Sequence, residues 1–205
     1  MLNHIDLCFK KGEWTGIVGP SGQGKSTILD IILKLYPVCD GTVFIDGTDI
    51  NRMNAFSIRD QVTKIAQDVF LFPGTIEDNL RLMREGVSEE EMWEALRFAC
   101  LDEYVKTMPQ GIKTDVGEAG KLMSGGERQR LSIAMGILRG NQILLLDEVT
   151  SNLDIEIEER LAKHFYELVR KGYTIIAVSH RMSFLKHAQK VYEIQNGQAK
   201  EACIQ

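Results

Sequence analysis

The stretch Gly19, Pro20, Ser21, Gly22, Gln23, Gly24, Lys25, Ser26, Thr27 constrains the fold more than any other part of the chain. It follows the apolar run Trp14 to Val18 and precedes Ile28, Leu29, Asp30, Ile31, Ile32 and Leu33. Two glycines with four residues between them, Gly19 and Gly24, then Lys and Ser, form the pattern whose backbone N–H groups fold around a phosphate chain. Glycine allows that approach where a Cβ would intrude, and a helix starting near Lys25 points its positive end at the same anion. Lys25 is therefore expected to contact the β- and γ-phosphates, and the Ser26 hydroxyl to ligate Mg²⁺. The strand before and the helix after are the context this reading requires. An α/β fold that binds a nucleoside triphosphate is the expectation.

At 205 residues, 44% of them hydrophobic, the chain suffices for one large domain or for a core plus a small subdomain. A net charge of −5 gives no electrostatic footprint for nucleic acid, so no nucleic-acid partner is expected. Cys8, Cys39, Cys100 and Cys203 have no Cys-x-x-Cys spacing and read as reduced thiols. No apolar run reaches the roughly 18 to 20 residues of a membrane span. Ile5, Leu7 and Phe9 alternate with polar neighbours, so residues 4–10 read as a strand and not as a signal peptide.

Helix signals cover 26–36 and stop before Pro37 and Asp40-Gly41. Thr42 to Asp46 has strand composition, and Asp46-Gly47 is a tight-turn pair, which predicts a hairpin at the edge of the nucleotide site. A helical turn from Ser57 leads into a strand, Val62 to Ala66, that delivers Gln67 to its end. Gln67 reads either as an ordinary loop residue or as a contact to the γ-phosphate or Mg²⁺. From 75 to 108 the strand signals give way to helical ones, with Ser88 and Glu91 spaced as a capping box and Trp93 expected in a core. His4, His164 and His187 lack functional placement and are expected to be solvated.

Four later stretches complete the pattern. Ser124 and Glu127 stand at N-cap and N3 of a helix whose Leu131, Ala134, Met135 and Leu138 share one face. A cap alone does not need Gly125 and Gly126, which cost about 1 kcal/mol each against alanine, so a phosphate-facing helix end is expected as well. Ile143 to Leu146 is apolar on both faces, as a central parallel strand must be, and ends in Asp147-Glu148. Carboxylates at that end lie in the crevice where open α/β sheets bind ligands, and because their side chains alternate in direction, one of the two can hold Mg²⁺ through water while the other addresses an attacking water. Ser151 to Asp154 is a loop before a helix of about 155–170. Another buried strand, Tyr173 to Val178, ends in Ser179-His180, which brings His180 to the same sheet edge as a γ-phosphate or water contact. The strand Lys190 to Gln195 and the turn Asn196-Gly197 close the pattern.

With these residues in view the chain resembles the nucleotide-binding domain of ATP-binding-cassette (ABC) transporters, from about Trp14 to Gly197. GPSGQGKST resembles the Walker A loop, Gln67 the Q-loop, MSGGE the signature, ILLLDE Walker B, SNLD the D-loop and His180 the H-loop. QDVFLFPGTIEDNL and TDVGEAG look like the exporter branch. The resemblance implies a P-loop NTPase, RecA-like core with a mostly parallel sheet, a small antiparallel β edge and an inserted helical subdomain. The core would comprise 1–74 and 142–205, and the subdomain about 75–141. It implies ATP and Mg²⁺ as ligands, with Ser26, Gln67 and Asp147 at the metal and Glu148, Gln67 and His180 in catalysis. The loop Gly19 to Thr27 and a partner's Ser124, Gly125, Gly126 and Glu127 would enclose the nucleotide. The implied partners are a second nucleotide-binding domain, identical or not, in a head-to-tail dimer, and the transmembrane domains of an exporter. The implied location is the cytoplasmic face of the cell membrane.

This sequence departs from the family pattern at Met123, usually leucine, at Glu127, usually glutamine, and at Asn152, usually alanine. The family's adenine-stacking aromatic would precede Met1, and neither Phe9 nor Trp14 is an obvious substitute, so the expectation is either the C-terminal part of a longer exporter polypeptide, which is favoured, or a short ATPase that binds adenine loosely. Two rival functions remain at this point. A DNA-repair ATPase of the same class would need a coiled coil or DNA-binding domains for which the chain has no room. A nucleotide-binding module without hydrolysis fits the absent aromatic but not the presence of Lys25, Asp147, Glu148 and His180.

Overall fold

The computed structural model describes residues 5–202. The main sheet comprises β1 (Trp14–Val18), β4 (Val62–Ile65), β5 (Ile143–Asp147), β6 (Thr174–Val178), β7 (Lys190–Gln195) and β8 (Gln198–Ala202), in the order β4-β5-β6-β1-β7-β8. All neighbours are parallel except β7 and β8. A separate hairpin pairs β2 (Phe44–Ile45) with β3 (Thr48–Asp49). Its turn, Asp46-Gly47, has positive φ at both residues, as does Asn196-Gly197 between β7 and β8, the backbone that matches the twist of two-residue hairpins.

Helices pack on both faces. α1 (Lys25–Ile32) and α2 (Ala55–Gln61) lie over a cluster that includes Ile17, Leu29, Ile58, Leu145 and Ile176. The opposite face buries Leu144, Leu146, Ile175 and Ala177. There they meet α6 (Gly125–Leu138) and α7 (Ile155–Arg170). β5 thus sends Leu145 to one cluster and its two neighbours to the other, which is why its sequence is apolar without alternation. α3 (Ile76–Arg81), α4 (Glu89–Phe98) and α5 (Asp102–Thr107) fill the chain between β4 and α6, and α3 and α4 both pack on α6. Ser88 and Glu91 form the expected capping box.

Several expectations are corrected. Residues 5–10 form no strand: the Cys8 N–H donates to the Tyr192 hydroxyl at 3.1 Å, a side-chain bond where a ladder was expected. α1 stops at Ile32, before Pro37, because Lys34 takes a left-handed conformation (φ 54°) and the Leu35 N–H turns back to Asp30 O. The Thr42–Asp46 strand shrinks to two residues. β8 is an added strand, its residues too polar to signal a core face. Trp93 is only half-buried at the edge of the core. His164 and His187 are part-buried and make specific contacts, where free solvation was expected. His164 Nδ1 lies 2.7 Å from Phe98 O, and His187 stacks on Tyr166, with burial pulling its pKa below the ordinary value. His4 and Cys203 lie outside the described residues; Cys8, Cys39 and Cys100 are free thiols.

Trp14 is fully buried, with its ring 5.3 Å from Phe184 and 6.3 Å from Phe165. It serves the core and offers no face to a base. Phe9 packs edge-on to Tyr192.

Candidate functional site

Three parallel strands, β1, β5 and β6, end side by side and deliver the loop Gly19–Gly24, the pair Asp147-Glu148 and Ser179-His180 to one edge. That juxtaposition follows from the strand order alone. Gly19, Gly22 and Gly24 have φ of 141°, 78° and 85°. Gly24 is the N-cap of α1 and supplies no capping side chain, and the first turn of α1 holds no acidic residue. Its first backbone N–H groups are left for a ligand, in contrast to α3 and α4, whose first turns are acidic and closed by capping boxes. Gly19 is required for a second reason. A Cβ there would stand 2.2 Å from Ile194 O, so β7 presses directly on the loop.

The Lys25 ammonium curls back over its own loop and donates to Gly19 O and Pro20 O, each at 2.9 Å. Burial pulls its pKa below the ordinary value, while the carboxylates of Glu148 and Asp147 act in the opposite direction. Ser26 Oγ donates to Asp147 Oδ1 at 2.7 Å. A hydroxyl and a carboxylate are the hard oxygen donors that suit Mg²⁺, which takes one or two protein oxygens and completes its shell with phosphates and water. Among the described residues no group of three His, Cys, Asp or Glu side chains could hold a metal.

Glu148 follows the strand in a left-handed conformation (φ 51°), with its N–H bonded to Val178 O. That turn, more than strand alternation, sends its carboxylate away from Asp147 and to His180, whose Nε2 lies 2.9 Å from Glu148 Oε1. Non-glycine residues held at positive φ cluster at functional sites, where surrounding contacts enforce them.

Gln67 does not join these groups. It is exposed beyond the end of β4 and lines a cleft of about 210 Å³ with Asp68, Gly125, Arg128, Gln129 and Asn152. Ser124 caps α6 with Glu127, both bonds of the capping box being present. A Cβ on Gly126 would come within 3.0 Å of Asn152 O, so close packing of α6 on the loop before α7 is itself a reason for that glycine. Among the described residues no hydrogen bond or ion pair joins Ser124–Glu127 to Gly19–Thr27. One chain brings together Lys25, Ser26, Asp147, Glu148 and His180, and leaves the second glycine-rich helix end apart.

A family model, ABC transporter, matches residues 2–151. The chain belongs to the ABC transporter family. This ABC domain is 42% identical over 201 residues to YwjA, an uncharacterized ABC transporter ATP-binding protein of Bacillus subtilis, covering 98% of the chain and 35% of the relative. It is 39% identical to the multidrug resistance protein pgp-1 of Caenorhabditis elegans, again over 98% of the chain but 15% of that protein. Among solved structures, a bacterial Atm1-family ABC exporter with ATP bound superposes with a TM-score of 0.92 at 32% identity, covering 99% of this chain and 36% of that one. The fold is therefore that of a P-loop NTPase. The chain spans about a third of the length of YwjA and of the Atm1-family chain. Among the described residues no helix is long and apolar enough to cross a membrane.

Two groups at the site carry no signal in the sequence pattern. Lys64 Nζ lies 2.7 Å from Asp30 Oδ1 and 3.1 Å from Asp147 Oδ2; burial lowers its pKa, but the two carboxylates outweigh that and raise it. Arg181, next to His180, donates to Leu153 O at 2.9 Å and Ser151 O at 3.3 Å, and pairs with Glu158 at 2.8 Å. Glu158 is 1% exposed and also accepts from the Ser183 hydroxyl. Replacing Arg181 with Met leaves that carboxylate buried with one partner and is expected to cost about 2 kcal/mol. Denaturant unfolding of the ABC domain measures it; a loss under 0.5 kcal/mol would show that the pair does not hold the loop.

Proposed function

We propose that this ABC domain binds and hydrolyses ATP as the motor of an exporter, working as one half of a head-to-tail pair with a second nucleotide-binding domain. The observation that supports this most is the division of the site. The phosphate loop, Asp147, Glu148 and His180 meet at one sheet edge, while Ser124 and Glu127 close their own cap and, among the described residues, make no hydrogen bond or ion pair to that loop. A second domain would bring its own Ser124, Gly125, Gly126 and Glu127 to the nucleotide held by the loop Gly19 to Thr27.

On this reading Lys25 exchanges the carbonyls of Gly19 and Pro20 for phosphate oxygens. Ser26 and Asp147, with Gln67, would hold Mg²⁺, which would supply positive charge to neutralise the phosphates. Glu148 orients the attacking water or takes its proton, and His180 contacts the γ-phosphate while fixing the Glu148 carboxylate. Residues 75–141 form a helical subdomain that moves the signature relative to the core of 1–74 and 142–205. Closing and opening of the pair would drive transmembrane domains held against it at the cytoplasmic face of the membrane.

Phosphate release from Mg-ATP by the purified chain tests the shared site. Specific activity is expected to rise with protein concentration until the pair is saturated. Full specific activity independent of concentration, down to a monomeric preparation, would remove the partner's signature from the reading.

A further inference from the structure

A lysine inside a parallel strand is out of place. Such strands are buried on both faces and read as apolar runs, and β4 is Val62-Thr63-Lys64-Ile65. Lys64 pairs in register with Leu145, so its side chain stands on the face that also carries Asp147, two residues further along β5. The Lys64, Asp30 and Asp147 side chains are 19%, 21% and 7% exposed. Asp30 sits one helical turn after Ser26 on α1, on the same side of the helix. Both oxygens of Asp147 are thereby engaged: Oδ1 by the Ser26 hydroxyl from α1, Oδ2 by Lys64 from β4.

We propose that Lys64 is a positioning residue for Asp147: with Asp30 as its counter-ion, it holds Oδ2 so that Oδ1 stays aimed at Ser26 and the metal position beside it. The inference rests on the reading of Asp147 as the Mg²⁺ residue. Charge explains why two residues are needed. A lone ammonium beside Asp147 would cancel the negative charge that attracts the metal, whereas Asp30 restores it. The trio carries the same net charge, −1, as Asp147 alone. The carboxylate gains a brace from a neighbouring strand at no loss of attraction for a cation. Partners that orient a metal-binding side chain from behind act in this way.

The decisive protein is the double variant Asp30→Asn/Lys64→Met, which removes the brace and leaves the net charge unchanged. Binding of a fluorescent ATP analogue is measured across Mg²⁺ concentrations, with the melting temperature of the nucleotide-free protein alongside. The Mg²⁺ concentration at half-saturation is expected to rise about tenfold, the usual cost of losing such a partner. Lys64→Arg, which keeps a cation in reach of both carboxylates, is expected to stay within about threefold of the unaltered protein on the same scale. A purely structural lysine would move the melting temperature and not the Mg²⁺ half-saturation. If the double variant does not fold, Asp30→Asn/Lys64→Gln, which also leaves the net charge unchanged, is read for the same quantity. A half-saturation equal to or below that of the unaltered protein overturns the proposal in either variant. Asp147→Asn separates the two levels: if it leaves the Mg²⁺ dependence unchanged, the assignment of Asp147 fails, whatever Lys64 does.

Discussion

Replacing Glu148 with Gln is expected to lower steady-state ATP turnover by about 10²- to 10³-fold, the range a positioned general base supplies. The substitution keeps shape and volume. Its amide oxygen still accepts from His180 Nε2, which sits 2.9 Å from Glu148 Oε1, and the left-handed backbone at φ 51° is unaltered because its N–H remains bonded to Val178 O. Only the negative charge and the basic oxygen are lost. Lys25, Ser26 and Asp147 make their contacts without Glu148, so ATP affinity is expected to stay within about threefold; binding and chemistry are then separated by a single side chain. Phosphate release and equilibrium ATP binding measure the two. Turnover within threefold of the unaltered protein would take Glu148 out of the mechanism.

Gly19→Ala is expected to destabilise the ABC domain by about 3 kcal/mol and to abolish tight ATP binding with it. Two independent penalties coincide. The residue has φ 141°, a conformation close to glycine's own territory, and the added Cβ would lie 2.2 Å from Ile194 O on the backbone of β7. β7 is held by β1 on one side and β8 on the other, so it cannot recede cheaply, and the loop must move. At this chain length a loss of about 3 kcal/mol lowers the melting temperature by roughly 6 to 12 °C. Gly22 is a useful contrast: a Cβ there meets nothing within 4 Å, so Gly22→Ala bears the φ penalty alone. Equal melting temperatures for the two variants would show that the contact with β7 does not constrain the loop.

What was legible in the sequence is what chemistry dictates locally. The phosphate loop is written in glycines whose φ values no other residue adopts easily. The caps Ser88/Glu91 and Ser124/Glu127 are three residues apart, and β5 reads as an unbroken apolar run. The strand ends carrying Asp147 and His180 could be placed together because parallel strands from one sheet share an edge. What was hidden depends on partners distant in sequence. Lys64 and Asp147 are 83 residues apart in the sequence, and a lysine in a short strand looks like a surface residue until Asp30 and Asp147 close around it. Arg181 and Glu158 are ordinary charges on a loop and a helix, and only folding buries the carboxylate. Residues 5–10 alternate as a strand should, yet Cys8 bonds to the Tyr192 hydroxyl. His187 gave no hint of its stack on Tyr166. The purpose of Gly126 was also incompletely legible, since its close contact is with Asn152 O, a backbone atom more than 20 residues away.

The central claim is that ATP draws two such domains together around a site that one chain leaves incomplete. The measurement that tests it most directly is the light-scattering mass of the Glu148→Gln protein with and without Mg-ATP, since slow turnover would let the closed state accumulate. The account predicts a monomer of 23.1 kDa without nucleotide and a mass close to twice that with it. A protein that binds Mg-ATP with full occupancy and stays monomeric at high concentration would contradict it.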